Sequence, residues 1–69
     1  MERAERTHRS AAWYHDAAAV RHDKAAEFWA AKGDGQRADL ERRNARIERD
    51  AAQLERDRAD LVAKADGKS

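Results

Sequence analysis

Small and apolar residues recur every seven positions along both halves of this chain. The first half repeats as HRSAAWY, HDAAAVR and HDKAAEF, and the second as ADLERRN, ARIERDA, AQLERDR and ADLVAKA. Residues three, four and seven apart share one face of an α-helix, so this period predicts two amphipathic helices. Alanine, leucine, glutamate, arginine and lysine, which fill the repeats, are strong helix formers.

The only internal break is the segment KGDGQ, residues 32–36. Gly33 suits the left-handed residue that ends a helix, and Asp34 can cap the next helix. We predict helix 1 at about 3–32, a turn at 33–34 and helix 2 at about 35–65, before a short flexible tail. A turn this short makes the helices antiparallel neighbours. The predicted fold is all-α: one coiled-coil-like antiparallel hairpin over residues 1–69, which we expect to dimerise into a four-helix bundle.

The two heptad rows are in phase about the turn, which predicts how the helices meet. Residues at one height should have numbers that add up to about 69, so that His22 would meet Ile47. Asp50 and Asp57 are candidate acceptors for the ring nitrogens at the edge of this contact. The predicted intrachain seam consists of His8, His15, His22, Trp29, Leu40, Ile47, Leu54 and Leu61.

Each helix carries a second stripe of apolar or small residues, on the side away from the predicted seam. Two helices cannot bury both stripes against each other, and isolated helical hairpins are weakly stable. We therefore expect a homo-oligomer, most simply a dimer. The alternative is that these are scattered surface residues, which are common. The predicted interface consists of Trp13, Tyr14, Val20, Phe28, Ala45, Ala52 and Ala59.

Composition narrows the function classes. The chain has 69 residues, 42% of them charged, no cysteine and a net charge of +1. The absence of cysteine excludes disulfides and thiolate metal sites. Acids and bases are interspersed, so we do not expect a nucleic-acid partner. We expect no membrane partner and a cytoplasmic location, because no apolar run spans a bilayer and the N-terminus MERAERTHRS has no apolar signal core.

The histidine row raises the question of a metal or haem site. Histidines seven residues apart on one helix are separated by about 10.5 Å along its axis, so no two of them can share an ion within one chain. His8, His15 and His22 are therefore candidate ligands only if a second chain supplies histidines at the same level. We expect no cofactor. A further hypothesis is that protonation of the histidines weakens the seam.

Catalysis is not expected, because no residues are spaced as an acid–base or nucleophile constellation and we assign no catalytic residue. The sequence favours a non-enzymatic, self-associating helical module and leaves room for an unidentified protein partner. The alternative is a metal- or haem-binding four-helix bundle that uses histidines from two chains.

The repeat HxxAAxx followed by AAEFWAAKGDGQRADLERRNARIERDAAQLERDRADL resembles short Ala- and His-rich helical hairpins of actinobacteria and other GC-rich bacteria. The resemblance covers nearly the whole chain. It implies the hairpin fold but no activity, because that group has no settled function. Relatives often carry more histidines per repeat; here Tyr14, Arg21 and Phe28 precede the histidine or tryptophan. This departure makes a shared metal-binding role harder to apply to this chain.

Overall fold

The computed structural model describes residues 1–67, which form two long helices. Helix α1 spans Arg3–Ala31 and helix α2 spans Gly35–Asp66. The side chain of Glu2 caps α1 by accepting hydrogen bonds from the first free backbone N–H groups, at 2.9 Å from Ala4. The last two residues of the predicted flexible tail, Lys68 and Ser69, lie outside the described residues.

The turn has the chemistry that its residues predict. Gly33 adopts a φ of +79°, in the left-handed region that a residue with a Cβ occupies only with strain. Asp34 caps α2, because one carboxylate oxygen accepts a hydrogen bond from the backbone N–H of Arg37 at 2.9 Å. The N–H of Asp34 in turn donates to the carbonyl of Trp29 at 2.9 Å, which fixes the exit from α1.

The helices pack against each other along their length, which confirms the all-α hairpin. The contact between them is built from smaller side chains than predicted, because the fully buried side chains among the described residues are all alanine. Methyl groups let two helix backbones approach closely, and they repeat every seven residues on both helices. This alanine seam consists of Ala12, Ala19 and Ala26 of α1 with Ala38, Ala45, Ala52 and Ala59 of α2.

The predicted seam is therefore wrong in α2. The four large aliphatic residues assigned to it are 50–69% exposed, because they lie about 150° around the helix from the buried alanines. The histidines and Trp29 of α1 are half-buried at the edge of the alanine seam. Three alanines assigned to the intermolecular interface are instead buried inside the hairpin: Ala45, Ala52 and Ala59.

Neither helix in the described part of the chain is long and apolar enough to cross a membrane. The hairpin measures about 56 × 13 × 9 Å along its principal Cα axes, so it is a single layer of two helices. The side chains that point away from the contact between the helices therefore lie on the surface of the hairpin.

Candidate interaction surface

A row of three histidine–glutamate pairs lines one side of the alanine seam. In each pair the ring Nδ1 lies 2.6–2.9 Å from a carboxylate oxygen on the other helix. An ionised carboxylate only accepts hydrogen bonds, so Nδ1 is the donor and carries the proton. The residue numbers of every pair add up to 63, which makes the row regular along the helices. The pairs are His8–Glu55, His15–Glu48 and His22–Glu41.

The pKa of Glu55 is lowered, first of all by its hydrogen bond from His8 and next by one from Arg58. Burial opposes this shift. The side chain of Glu55 is only 14% exposed, the same as Glu5 and less than any other carboxylate that an ion pair holds here. The carboxylate thus stays ionised below the pH at which a free glutamate takes up a proton.

A row of arginine–aspartate pairs lines the opposite side of the seam. A guanidinium nitrogen of Arg56 lies 2.7 Å from a carboxylate oxygen of Asp16, and Arg49 contacts Asp23 in the same way one heptad away. Near the open end, Arg9 reaches Asp60 at 3.0 Å. The guanidinium groups of Arg9 and Arg49 donate hydrogen bonds to Asp60 and Asp23, which raises the pKa of both arginines and keeps them charged. The two rows hold the alanine faces together from both sides.

The glutamates of the first row are pairing positions that sequence reasoning missed. Asp50 and Asp57 were the expected acceptors, but Asp57 accepts instead from the amide of Gln53 at 2.9 Å. A signal was present, because a glutamate directly follows each of the first three large aliphatic residues of α2, in phase with the histidines. Placing leucine and isoleucine against α1 hides this signal, because the alanines and not those residues face α1.

The most exposed apolar feature is a straight row on the back of α2, which we call the outer row. Its members are seven residues apart, and each has half or more of its surface exposed. No charged residue interrupts the row itself, although charged residues flank it. The outer row consists of Leu40 (59% exposed), Ile47 (64%), Leu54 (50%) and Leu61 (69%).

Helix α1 carries a second exposed apolar feature, which we call the aromatic patch: Trp13, Tyr14, Val20 and Phe28, at 49–67% exposed. Trp13 and Tyr14 meet edge to face with ring centroids 5.1 Å apart. These four residues of the predicted interface do lie on the surface. A shallow groove beside Trp13 is lined by the charged side chains of Arg9, Asp16 and Arg56.

Trp29 belongs to neither feature, although it takes the next heptad position after the histidines. The guanidinium of Arg37 lies over its ring, 4.8 Å from the centroid, and Phe28 meets it edge to face at 5.1 Å. Trp29 therefore fastens the turn end of the hairpin to the first turn of α2.

The histidines do not form a metal site within the chain. Among residues 1–67, no three side chains of histidine, cysteine, aspartate or glutamate are grouped so that they could hold an ion. The paired glutamates occupy Nδ1 of each ring, which leaves Nε2 as the nitrogen that could bind anything further. In a single chain, ion pairs thus join the two helices. The outer row and the aromatic patch form two exposed apolar surfaces.

In comparisons with known proteins, no family profile, no curated protein and no solved structure matches the chain. The resemblance to short Ala- and His-rich bacterial hairpins stays a prediction. The arguments for function therefore rest on the surfaces described above.

Proposed function

We propose that this hairpin is a non-enzymatic self-association module whose simplest assembly is a homodimer in a four-helix bundle. One observation carries the proposal: the core between the helices is built only from alanine, while every leucine and isoleucine of the chain faces outward. A hairpin selected to stand alone would gain more by turning those side chains inward. The outward placement is explained if a second chain covers them.

The magnitudes agree with this reading. Burying a fully exposed leucine, isoleucine, valine or phenylalanine stabilises a protein by about 1.5–3 kcal/mol. Burying the remaining surface of a half-exposed side chain should therefore contribute about 1 kcal/mol. Eight apolar residues, Trp13 and Tyr14 among them, form the outer row and the aromatic patch. The four residues of the outer row, taken from two copies, represent on the order of 8 kcal/mol, at about 1 kcal/mol each. This is comparable with the cost of association, about 4–15 kcal/mol, so covering both outer rows offsets much of that cost.

Sedimentation equilibrium at micromolar concentration tests the proposal. The wild-type chain should sediment as a dimer or a larger oligomer. The double variant Ile47→Lys/Leu54→Lys should be monomeric and less helical, because two charges replace the centre of the outer row. The matched control, Ser10→Lys/Gln36→Lys, adds the same charge at exposed polar positions and should associate like the wild type. A monomeric wild-type chain would refute self-association.

A second candidate function is a metal ion bound between histidines of two chains. It is favoured by one observation, the carboxylate that holds Nδ1 of each ring. Metal-binding histidines are commonly held in this way, and losing the supporting carboxylate typically weakens metal affinity 10–100-fold. Zinc titration of the wild type and of Glu48→Gln tests it. Unchanged melting temperature and sedimentation with zinc would reject this candidate.

A further inference from the structure

We infer that two copies meet through the outer rows of α2, which run antiparallel about a two-fold axis next to Ala51. This inference rests on the proposed self-association and adds which surface is used and how it is aligned. A two-fold interface brings the same patch of both copies together, so the patch must complement itself. In one antiparallel alignment the outer row pairs all four of its aliphatic residues and also brings opposite flanking charges together.

One flank of the outer row carries four exposed charges, three residues after each aliphatic residue: Arg43, Asp50, Asp57 and Lys64. In a parallel contact the two-fold axis runs along the helices and sets this flank against the other flank of the second copy, where Asp57 would meet Arg58. A parallel contact also aligns the dipoles of the two α2 helices, whereas an antiparallel contact opposes them, which favours the antiparallel pairing. The antiparallel pairing reverses the order of the charges in the second copy and changes which signs meet.

The antiparallel contact that pairs the most aliphatic residues sets Leu40 against Leu61 of the second copy and Ile47 against Leu54. In this alignment Arg43 of one copy lies beside Asp57 of the second copy. Their positions along the helix axis differ by one residue, about 1.5 Å. Symmetry repeats the pair, so the dimer gains two. Arg43 makes no ion pair or hydrogen bond with any other described residue, so its charge is available.

The other flank of the outer row is compatible with close approach. Ala51 lies at the centre of the row and would face its own copy, so the smallest side chain of this flank sits at the axis. Asn44 would lie level with Arg58 of the second copy and could accept a hydrogen bond from it. Asp50 would lie near its own copy, which works against this alignment, but Arg46 is one helical turn away to offset the charge.

Shifting the alignment by one heptad is worse in either direction. One shift sets Asp50 against Asp57 twice and Arg43 against Lys64 twice, so that all four charged pairs repel. The opposite shift sets Arg43 against Asp50 but leaves Leu61 without an aliphatic partner. The alignment that pairs all four aliphatic residues also pairs opposite charges on its flank.

Cysteine cross-linking tests this arrangement directly, because the chain contains no cysteine. A disulfide forms only where two Cα atoms lie within about 7 Å. Ala51→Cys should therefore form a disulfide-linked dimer under mild oxidation. The control, Ala18→Cys, is also half-exposed and near the middle of its helix, and it should cross-link at least tenfold more slowly.

A second pair of variants distinguishes antiparallel from parallel contact. Asn44→Cys mixed with Arg58→Cys should give mixed disulfides, whereas Asn44→Cys alone should give few. Efficient mixed linking of Asn44→Cys with Arg43→Cys would show a parallel contact and overturn the inference, because only a parallel contact sets these two flanks side by side. If the wild-type chain is dimeric but Ala51→Cys links no faster than Ala18→Cys, the arrangement is wrong and self-association stands. If the wild-type chain is monomeric, both proposals fail.

Reversing the flanking charges gives an independent readout without cysteine. Arg43→Asp should weaken dimerisation about three- to tenfold, since two exposed ion pairs become repulsive. Arg43→Asp/Asp57→Arg should restore it, because the exchanged charges meet again across the axis. Equal dimerisation constants for all three chains would overturn the alignment.

Discussion

The seam alanines set the distance between the helices. Ala45, Ala52 and Ala59 have no exposed surface at all, although a methyl group is the smallest side chain that can be buried. The flanking pairs depend on that distance, since His15 reaches Glu48 at 2.9 Å and Arg56 reaches Asp16 at 2.7 Å from opposite sides. A larger residue in the seam would push both rows of pairs apart.

Ala52→Leu should therefore destabilise the fold, although leucine is the more hydrophobic residue. Overpacking a closed site costs about 1–3 kcal/mol. Ala30→Leu makes the same change at an exposed position of α1 and should stay within about 0.5 kcal/mol of the wild type. Urea denaturation followed by circular dichroism measures both. An Ala52→Leu chain as stable as Ala30→Leu would contradict the alanine seam.

The His8–Glu55 pair makes a prediction about acidic pH with a definite sign. The hydrogen bond from His8 lowers the pKa of Glu55 below its ordinary value of 4.5. A group with a lowered folded-state pKa contributes stability above its unfolded-state pKa, and that contribution disappears as the pH falls through the folded value. The melting temperature should thus decline below about pH 4.5. Glu55→Gln, which has no proton to gain there, should decline less between pH 5 and 3.

At the level of helices and turn, the sequence was sufficient to predict the hairpin. The heptad period and the KGDGQ break identify two helices and one connection, and Gly33 and Asp34 take the roles that their chemistry predicts. These features are local, because a turn glycine or an N-cap acts on neighbours within a few residues. Such local features can therefore be predicted without knowing how the rest of the molecule packs.

The face by which the helices meet was not predictable in the same way. Hydrophobicity ranks Leu54 above Ala52 for burial, and a pattern within one chain does not say how many chains share the core. Ala52 lies inside the hairpin and Leu54 is half-exposed. The deciding signal was the pairing of charges across both edges, where Glu48 and Arg56 each meet a partner on α1.

The turn glycines provide a matched pair of substitutions with opposite expected signs. Gly33→Ala should destabilise the hairpin by about 1 kcal/mol, since alanine is strained at a φ of +79°. Gly35→Ala should stabilise it by about 0.5 kcal/mol, because this glycine begins α2 with open space around it and no positive φ. Thermal unfolding of the two variants beside the wild type measures both shifts. Equal shifts would contradict the described turn.

At the scale of the whole molecule, the hairpin is too thin to enclose a core. The hairpin is a layer of two helices about 9–13 Å across. Both faces of this layer are therefore exposed to solvent. Its outer row and aromatic patch lie on different helices, so contact through the outer rows leaves the aromatic patch of each copy on the surface of the dimer.

Folding coupled to association has a signature that a stable monomer lacks. If the dimer is the folded form, a tenfold rise in protein concentration adds about 1.4 kcal/mol to its stability. With an unfolding entropy of about 2.1 cal/mol/K per residue over two chains, the melting temperature should rise by about 5 °C per tenfold step. Circular dichroism melts between 2 and 200 µM, about two such steps, measure this slope. The monomeric Ile47→Lys/Leu54→Lys variant should melt at one temperature throughout, and a wild-type chain that did the same would be folding on its alanine seam alone.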